Sequence, residues 1–245
     1  MYVIENPRTM YTETSLAKAS YMFFKDKKYA EALPLFQQLQ DVAETPANKS
    51  AGKLGAMRCS YNLAQYDVAV EESNKVLAIE KLSPQQISEA KFIKAKSLFE
   101  TKRFDDALGE FKTITRSAKN VTGAEAFYHI ARIQFEKQDY KGVLKTINDL
   151  VSYSYSNDDW NNKGMLLLAD AYLAQGDVSD AKIILGTIVD ANPKPEYLEE
   201  AQKKLQEIEA KEAEKPAPPA ESLDLQFKES GKDSTLFNKN DQSEN

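Results

Sequence analysis

One short pattern recurs five times in this chain and limits its fold more than any other feature. A bulky residue is followed three positions on by a small one, and four positions later by an apolar one. It reads Tyr29-Ala32-Phe36, Tyr66-Ala69-Ser73, Phe104-Ala107-Phe111, Tyr140-Val143-Ile147 and Val178-Ala181-Leu185. The leading residues follow one another at intervals of 37, 38, 36 and 38 positions. Self-similarity at a fixed period of this size marks a repeat array, in which each unit buries its apolar face only against its neighbours.

Each pattern follows a stretch with helical apolar spacing, clearest at Met165, Leu168, Ala169 and Tyr172, which share one face at i, i+3, i+4 and i+7. Short polar turns join the two stretches: FKDKKY at 24–29, ETKRF at 100–104, FEKQDY at 135–140 and LAQGDV at 173–178. Each unit therefore reads as helix, tight turn, helix. Ala32, Ala69, Ala107 and Ala181 fit where two antiparallel helices cross closely, since a larger side chain would hold them apart. Only nine Gly and nine Pro in 245 residues interrupt a helix-favouring composition, and 42 % hydrophobic content supplies a sizeable core.

In its fifth unit Met165, Leu168, Ala169, Tyr172, Gly176, Ala181, Leu185 and Pro193 resemble the tetratricopeptide repeat signature at nearly every marked position. The second unit matches least, with Lys53 and Ser73 at bulky apolar positions. The resemblance implies an all-α, right-handed α–α superhelix over residues 1–212. Five helix pairs are expected at 13–49, 50–87, 88–123, 124–161 and 162–194, with a capping helix at 195–212 whose outward face is charged. Tyr2 to Pro7 resembles the end of a preceding unit, so Met1 reads as an internal start. Residues 213–245 read as a disordered tail, polar apart from an alternating Leu223, Leu225, Phe227 island and Leu236-Phe237. A period of 36–38 is similar to the repeats of bacterial envelope proteins of the TolA-binding and outer-membrane-assembly type. That likeness favours the periplasm or outer membrane, with the cytoplasm as the alternative.

Catalysis finds little support. The single histidine, His129, has no Cys or Ser partner at a supporting spacing and reads as an exposed helical position. The glycines are scattered singly, so no phosphate-cradling loop exists. One cysteine, Cys59, leaves neither a disulfide nor a cysteine-built zinc site, and it reads as a small buried hydrophobe. No cofactor or metal is expected. A net charge of -6 argues against nucleic acid, where affinity needs clustered Lys and Arg. No apolar run approaches the roughly 20 residues that cross a bilayer, so any membrane association would be indirect.

The resemblance implies that the first helices line a concave, partner-binding face. The candidate partner-binding residues there are Tyr21, Phe24, Leu54, Arg58, Tyr61, Phe92, Lys96, Phe99, Tyr128, Arg132 and Phe135. They fall in three rows. Ala17, Leu54, Phe92, Tyr128 and Leu166 form one, and Phe24, Tyr61, Phe99, Phe135 and Leu173 another. Between them run Tyr21, Arg58, Lys96, Arg132 and Asp170. Aromatic and Arg side chains are the usual interface anchors, and the cations suit partner carboxylates or ring stacking. The carboxylate-clamp variant of the family fits poorly, because Leu54 and Phe92 occupy places where it uses Lys and Asn. The expected role is a non-enzymatic scaffold for a partner peptide or domain. A structural spacer, or a sensor module coupled to a further domain, remains open.

Overall fold

A computed structural model describes residues 10–214. The Tyr2–Pro7 segment and the expected tail, with Leu223, Leu225, Phe227 and Leu236-Phe237, lie outside the described residues. Among those described there are eleven helices and no strand. They are α1 (Met10–Lys25), α2 (Tyr29–Val42), α3 (Pro46–Asn62), α4 (Tyr66–Leu77), α5 (Pro84–Glu100), α6 (Phe104–Ser117), α7 (Val121–Glu136), α8 (Tyr140–Val151), α9 (Asp158–Gln175), α10 (Val178–Ala191) and α11 (Pro195–Ala213). Consecutive helices pack antiparallel, and successive first helices stack on one another, giving an all-α superhelical array closed by α11.

Every second helix begins at the leading residue of the recurring pattern: Tyr29, Tyr66, Phe104, Tyr140 and Val178. The turn before it reverses the chain through one left-handed residue, namely Lys27, Ala64, Lys102, Gln138 or Gly176, with φ of 58°, 56°, 59°, 59° and 84°. Each turn is a Schellman motif. In the second, the Gln65 N–H donates to the Ser60 carbonyl at 2.9 Å and the Ala64 N–H to Tyr61 at 3.0 Å. These bonds satisfy carbonyls that the helix end would otherwise leave without a donor.

The first helices begin earlier than the expected unit boundaries, at 46, 84, 121 and 158 rather than 50, 88, 124 and 162. Capping chemistry explains the difference. The Thr45 hydroxyl accepts from the Asn48 N–H, with Pro46 at the first helical position. Ser83 and Gln86 form a reciprocal capping box, and the Asn157 side chain accepts from the Trp160 N–H. These pairings supply donors and acceptors that hydrophobic spacing alone does not register. The links between pairs alternate in length: α2, α6 and α10 have 14 residues and precede short links, whereas α4 and α8 have 12 and precede longer ones. The two variations offset each other and hold the period.

Ala32, Ala69, Ala107, Val143 and Ala181 are fully buried at the crossings, as their size required. Phe36 of α2 lies against the backbone of α3 at Gly55, where a Cβ would fall 2.3 Å from a ring carbon. Among neighbouring first helices, α5 and α7 keep their backbones furthest apart. On α11, Glu199, Lys203 and Glu207 are exposed as expected of a cap. Lys204 is not, because it reaches back to Asp170 of α9 at 2.6 Å.

Candidate protein-interaction surface

The aromatic row at the ends of the first helices is occupied within the chain. Phe24, Tyr61, Phe99 and Phe135 each meet the first residue of their own unit's second helix. The pairs are Phe24–Tyr29 at 5.5 Å between ring centroids, Tyr61–Tyr66 at 6.1 Å, Phe99–Phe104 at 5.8 Å and Phe135–Tyr140 at 5.7 Å. In the fifth unit Leu173 and Val178 occupy the same places in one cluster. Edge-on ring contacts of this kind are favourable beyond the area they bury. The row is therefore a clasp over each left-handed turn. The signal was present in the sequence as paired bulky residues five apart in every unit.

The cations between the rows also have partners. Arg58 of α3 donates through Nε and Nη2 to Glu89 of α5, both at 2.6 Å. Burial opposes the Lys96 ammonium, yet Glu125 at 2.9 Å and Tyr61 outweigh it and raise the Lys96 pKa. The same nitrogen stands 5.4 Å from the Phe92 ring centre and 5.7 Å from that of Tyr61. Arg132 lies 5.0 Å from the Phe99 ring centre. Arg58 and Lys96 thus join one unit to the next rather than standing free, and Glu89, Glu125 and Lys204 are the partners that helical spacing did not identify. These pairs depend on the offset between layers, which no single unit encodes.

Leu54 and Phe99 are core residues, 5 % and 7 % exposed. This corrects their expected place on the binding face: the clasp and the stacking of α3 and α5 enclose them. Phe92 is half-buried and edge-on to Phe111 at 6.3 Å, and Tyr128 packs on Trp160 of the next unit at 5.5 Å. Tyr21 is the most open of the eleven, at 63 %. The solvent-reaching part of the face comprises Tyr21 and parts of Phe24, Arg58, Tyr61, Phe92, Lys96, Tyr128, Arg132 and Phe135.

His129 departs from expectation: it is buried, not exposed. Its ring stacks on Phe111 at 4.9 Å with an interplanar angle of 5°, and Phe99 meets its edge at 5.1 Å. Nε2 lies 3.7 Å from Glu125, while Nδ1 is buried without a hydrogen-bond partner. Burial lowers the His129 pKa; Glu125 opposes that shift, and Lys96 and Arg132 add to it. The imidazole fills the wide seam between α5 and α7. Its neighbours are rings and a carboxylate already held by Lys96.

Two grooves mark the ends of this face. One of ≈ 580 Å³ lies between α1 and α3, lined by Tyr21 and Phe24, by small side chains such as Ala51, and by the buried Phe36 and Leu39 of α2. Another of ≈ 350 Å³ lies between α9 and α11 and contains Asp170, Glu207 and Glu212. Among the described residues no group of His, Cys, Asp and Glu is placed to hold a metal ion. No described helix is long and apolar enough to cross a membrane. Cys59 is fully buried, and burial pushes its thiol up to about 12, where little thiolate forms.

Comparison with known proteins agrees with this architecture. Residues 153–205, which span α9, α10 and the start of α11, match the tetratricopeptide repeat family model. The described residues form an all-α solenoid with the fold of tetratricopeptide repeats, and the family match itself covers residues 153–205. A search of the curated proteins finds no match. Among solved structures, the crystal structure of MamA protein aligns with a TM-score of 0.56 at 14 % identity, over 84 % of this chain and 98 % of that one. The Podosopora anserina putative kinesin light chain with nearly identical TPR-like repeats gives 0.52 at 17 % identity, over 79 % and 96 %. BtubC (BKLC) from P. vanneervenii gives 0.52 at 13 % identity, over 94 % and 88 %. At these identities the likeness is one of fold.

Proposed function

We propose that this protein is a non-enzymatic scaffold that binds a segment or domain of another protein on its first-helix face. The observation that carries this reading is the central strip of half-buried Tyr61, Phe92, Lys96, Tyr128 and Arg132, whose contacts within the chain fix their orientations. Side chains already ordered lose little rotamer freedom on binding, so such a strip favours a partner at low entropic cost. Aromatic and Arg groups so held are the usual anchors of an interface. The 36–38-residue period supports a bacterial envelope setting.

A spacer role has its own support, since the clasp and the ion pairs satisfy most of the face internally. The two readings separate in a crosslinking pull-down from envelope and soluble fractions. It compares the wild type with a Phe92→Ala/Tyr128→Ala/Arg132→Ala variant matched by circular dichroism. A partner held by the wild type and lost by the variant supports the scaffold. Equal capture by both, or none by either, supports the spacer.

A further inference from the structure

We propose that the groove between α1 and α3 receives the Leu223–Phe227 segment of a second copy of this chain, joining copies head to tail. This rests on the reading of the first-helix face as a binding surface. Charge singles out the groove. Among the described residues, the charged side chains lining it are Arg58 and Lys81, in a chain of net charge -6. The other grooves described mix signs: Glu89 with Arg58 and Lys119 in one, Asp170, Glu207 and Glu212 with Lys204 and Lys211 in the next, and Asp158 and Asp159 with Lys194 in the last. Glu89 occupies two of the five guanidinium N–H groups of Arg58, leaving three for another acceptor. Lys81 is exposed and enters no ion pair among the described residues.

The segment has the matching chemistry. Between Pro216 and Phe227 the chain carries Glu221 and Asp224 and no cation. Leu223, Leu225 and Phe227 alternate with Asp224 and Gln226, so an extended backbone would turn all three apolar side chains to one side. The ≈ 580 Å³ groove, lined by Ala17, Tyr21, Phe24 and Ala51, has space for such side chains. Strand-like peptides bound in this way take specificity from alternate side chains in pockets.

The connection selects a second copy over the same one. Four to five layers of stacked first helices separate the groove from α11, roughly 35–45 Å at the usual 8–10 Å per layer. Ala213 and Leu223 are ten residues apart, a stretch of at most about 33–36 Å when pulled straight. A chain folding back along the array would use essentially all of that length to reach the groove. A neighbouring molecule meets no such limit, and the contact is heterologous, so it propagates.

The test uses the full chain and two variants, compared by sedimentation velocity across a range of concentrations. Ala51→Trp fills the groove at an exposed position; Leu223→Ser/Leu225→Ser/Phe227→Ser removes the apolar side chains of the segment. The wild type is expected to associate progressively with concentration, and each variant alone to stay monomeric. An equimolar mixture of the two should form a dimer and nothing larger, because it holds one open groove and one intact segment. Lys81→Glu should weaken wild-type association roughly two- to fivefold, the range for a rim charge. Association unchanged by either variant, or no dimer in the mixture, overturns the proposal. So does a monomeric wild type, and binding of a synthetic 216–230 peptide by the segment variant would then place the segment in its own groove. The central-strip triple variant leaves groove and segment intact, so loss of this inference and loss of the scaffold reading are separable.

Discussion

The buried imidazole makes stability depend on pH in a window where no other side chain ordinarily titrates. His129 is the only histidine in the chain, and burial lowers its pKa in the folded state. In the unfolded chain it takes a proton near its ordinary value of about 6.5. The unfolded state therefore binds more protons as pH falls through that value, and stability declines with it. A native state that stays neutral between pH 7.5 and 5.5 loses about 1.4 kcal/mol over the interval, one proton's linkage. Glu13, held at about 2 by Thr45 and Asn48, and the lowered Glu125 and Asp159 act only at lower pH. Their contribution is lost as pH drops below the ordinary carboxyl range. Urea melts of the wild type and His129→Phe at both pH values isolate the effect, since phenylalanine keeps the stack on Phe111 and removes the proton site. The wild type should lose more than the variant between the two conditions, by up to about 1.4 kcal/mol. Equal losses would refute the assignment of a neutral, enclosed imidazole to the seam between α5 and α7.

Three further outcomes follow from the same packing. Lys96→Met strands the partly buried Glu125 with His129 alone, at a cost of about 1–3 kcal/mol in urea melts, and it should shrink the pH dependence by returning proton affinity to His129. Gly55→Ala drives a Cβ against the Phe36 ring; thermal melts should show a net loss of about 1–3 kcal/mol despite the better helix former, and Phe36→Leu should recover part of it. Ala64→Gly relieves a non-glycine residue at φ 56° and should stabilise the second unit by about 1 kcal/mol, read by urea denaturation, with amide exchange showing slower opening of α3 and α4.

The sequence alone determined the helix-pair repeat, its period and the start of every second helix, because these follow from local rules. A 3.6-residue apolar stripe, a small residue at a crossing and a tight polar turn each act within one unit. The capping residues Thr45, Ser83 and Asn157, and the bulky pairs five apart such as Phe24–Tyr29, are equally local, but apolar spacing does not register them and the structure identified their roles. Tertiary structure decided what the first-helix face does with its side chains. Helical periodicity puts Leu54, Arg58 and Phe99 near one face but does not set how far the next layer is displaced. That displacement encloses Leu54 and Phe99, brings Glu89 to Arg58 and Glu125 to Lys96, and sinks His129 between rings contributed by α5 and α6. Burial of a side chain in a stacked array is a property of two layers together, and one unit's sequence describes only its own.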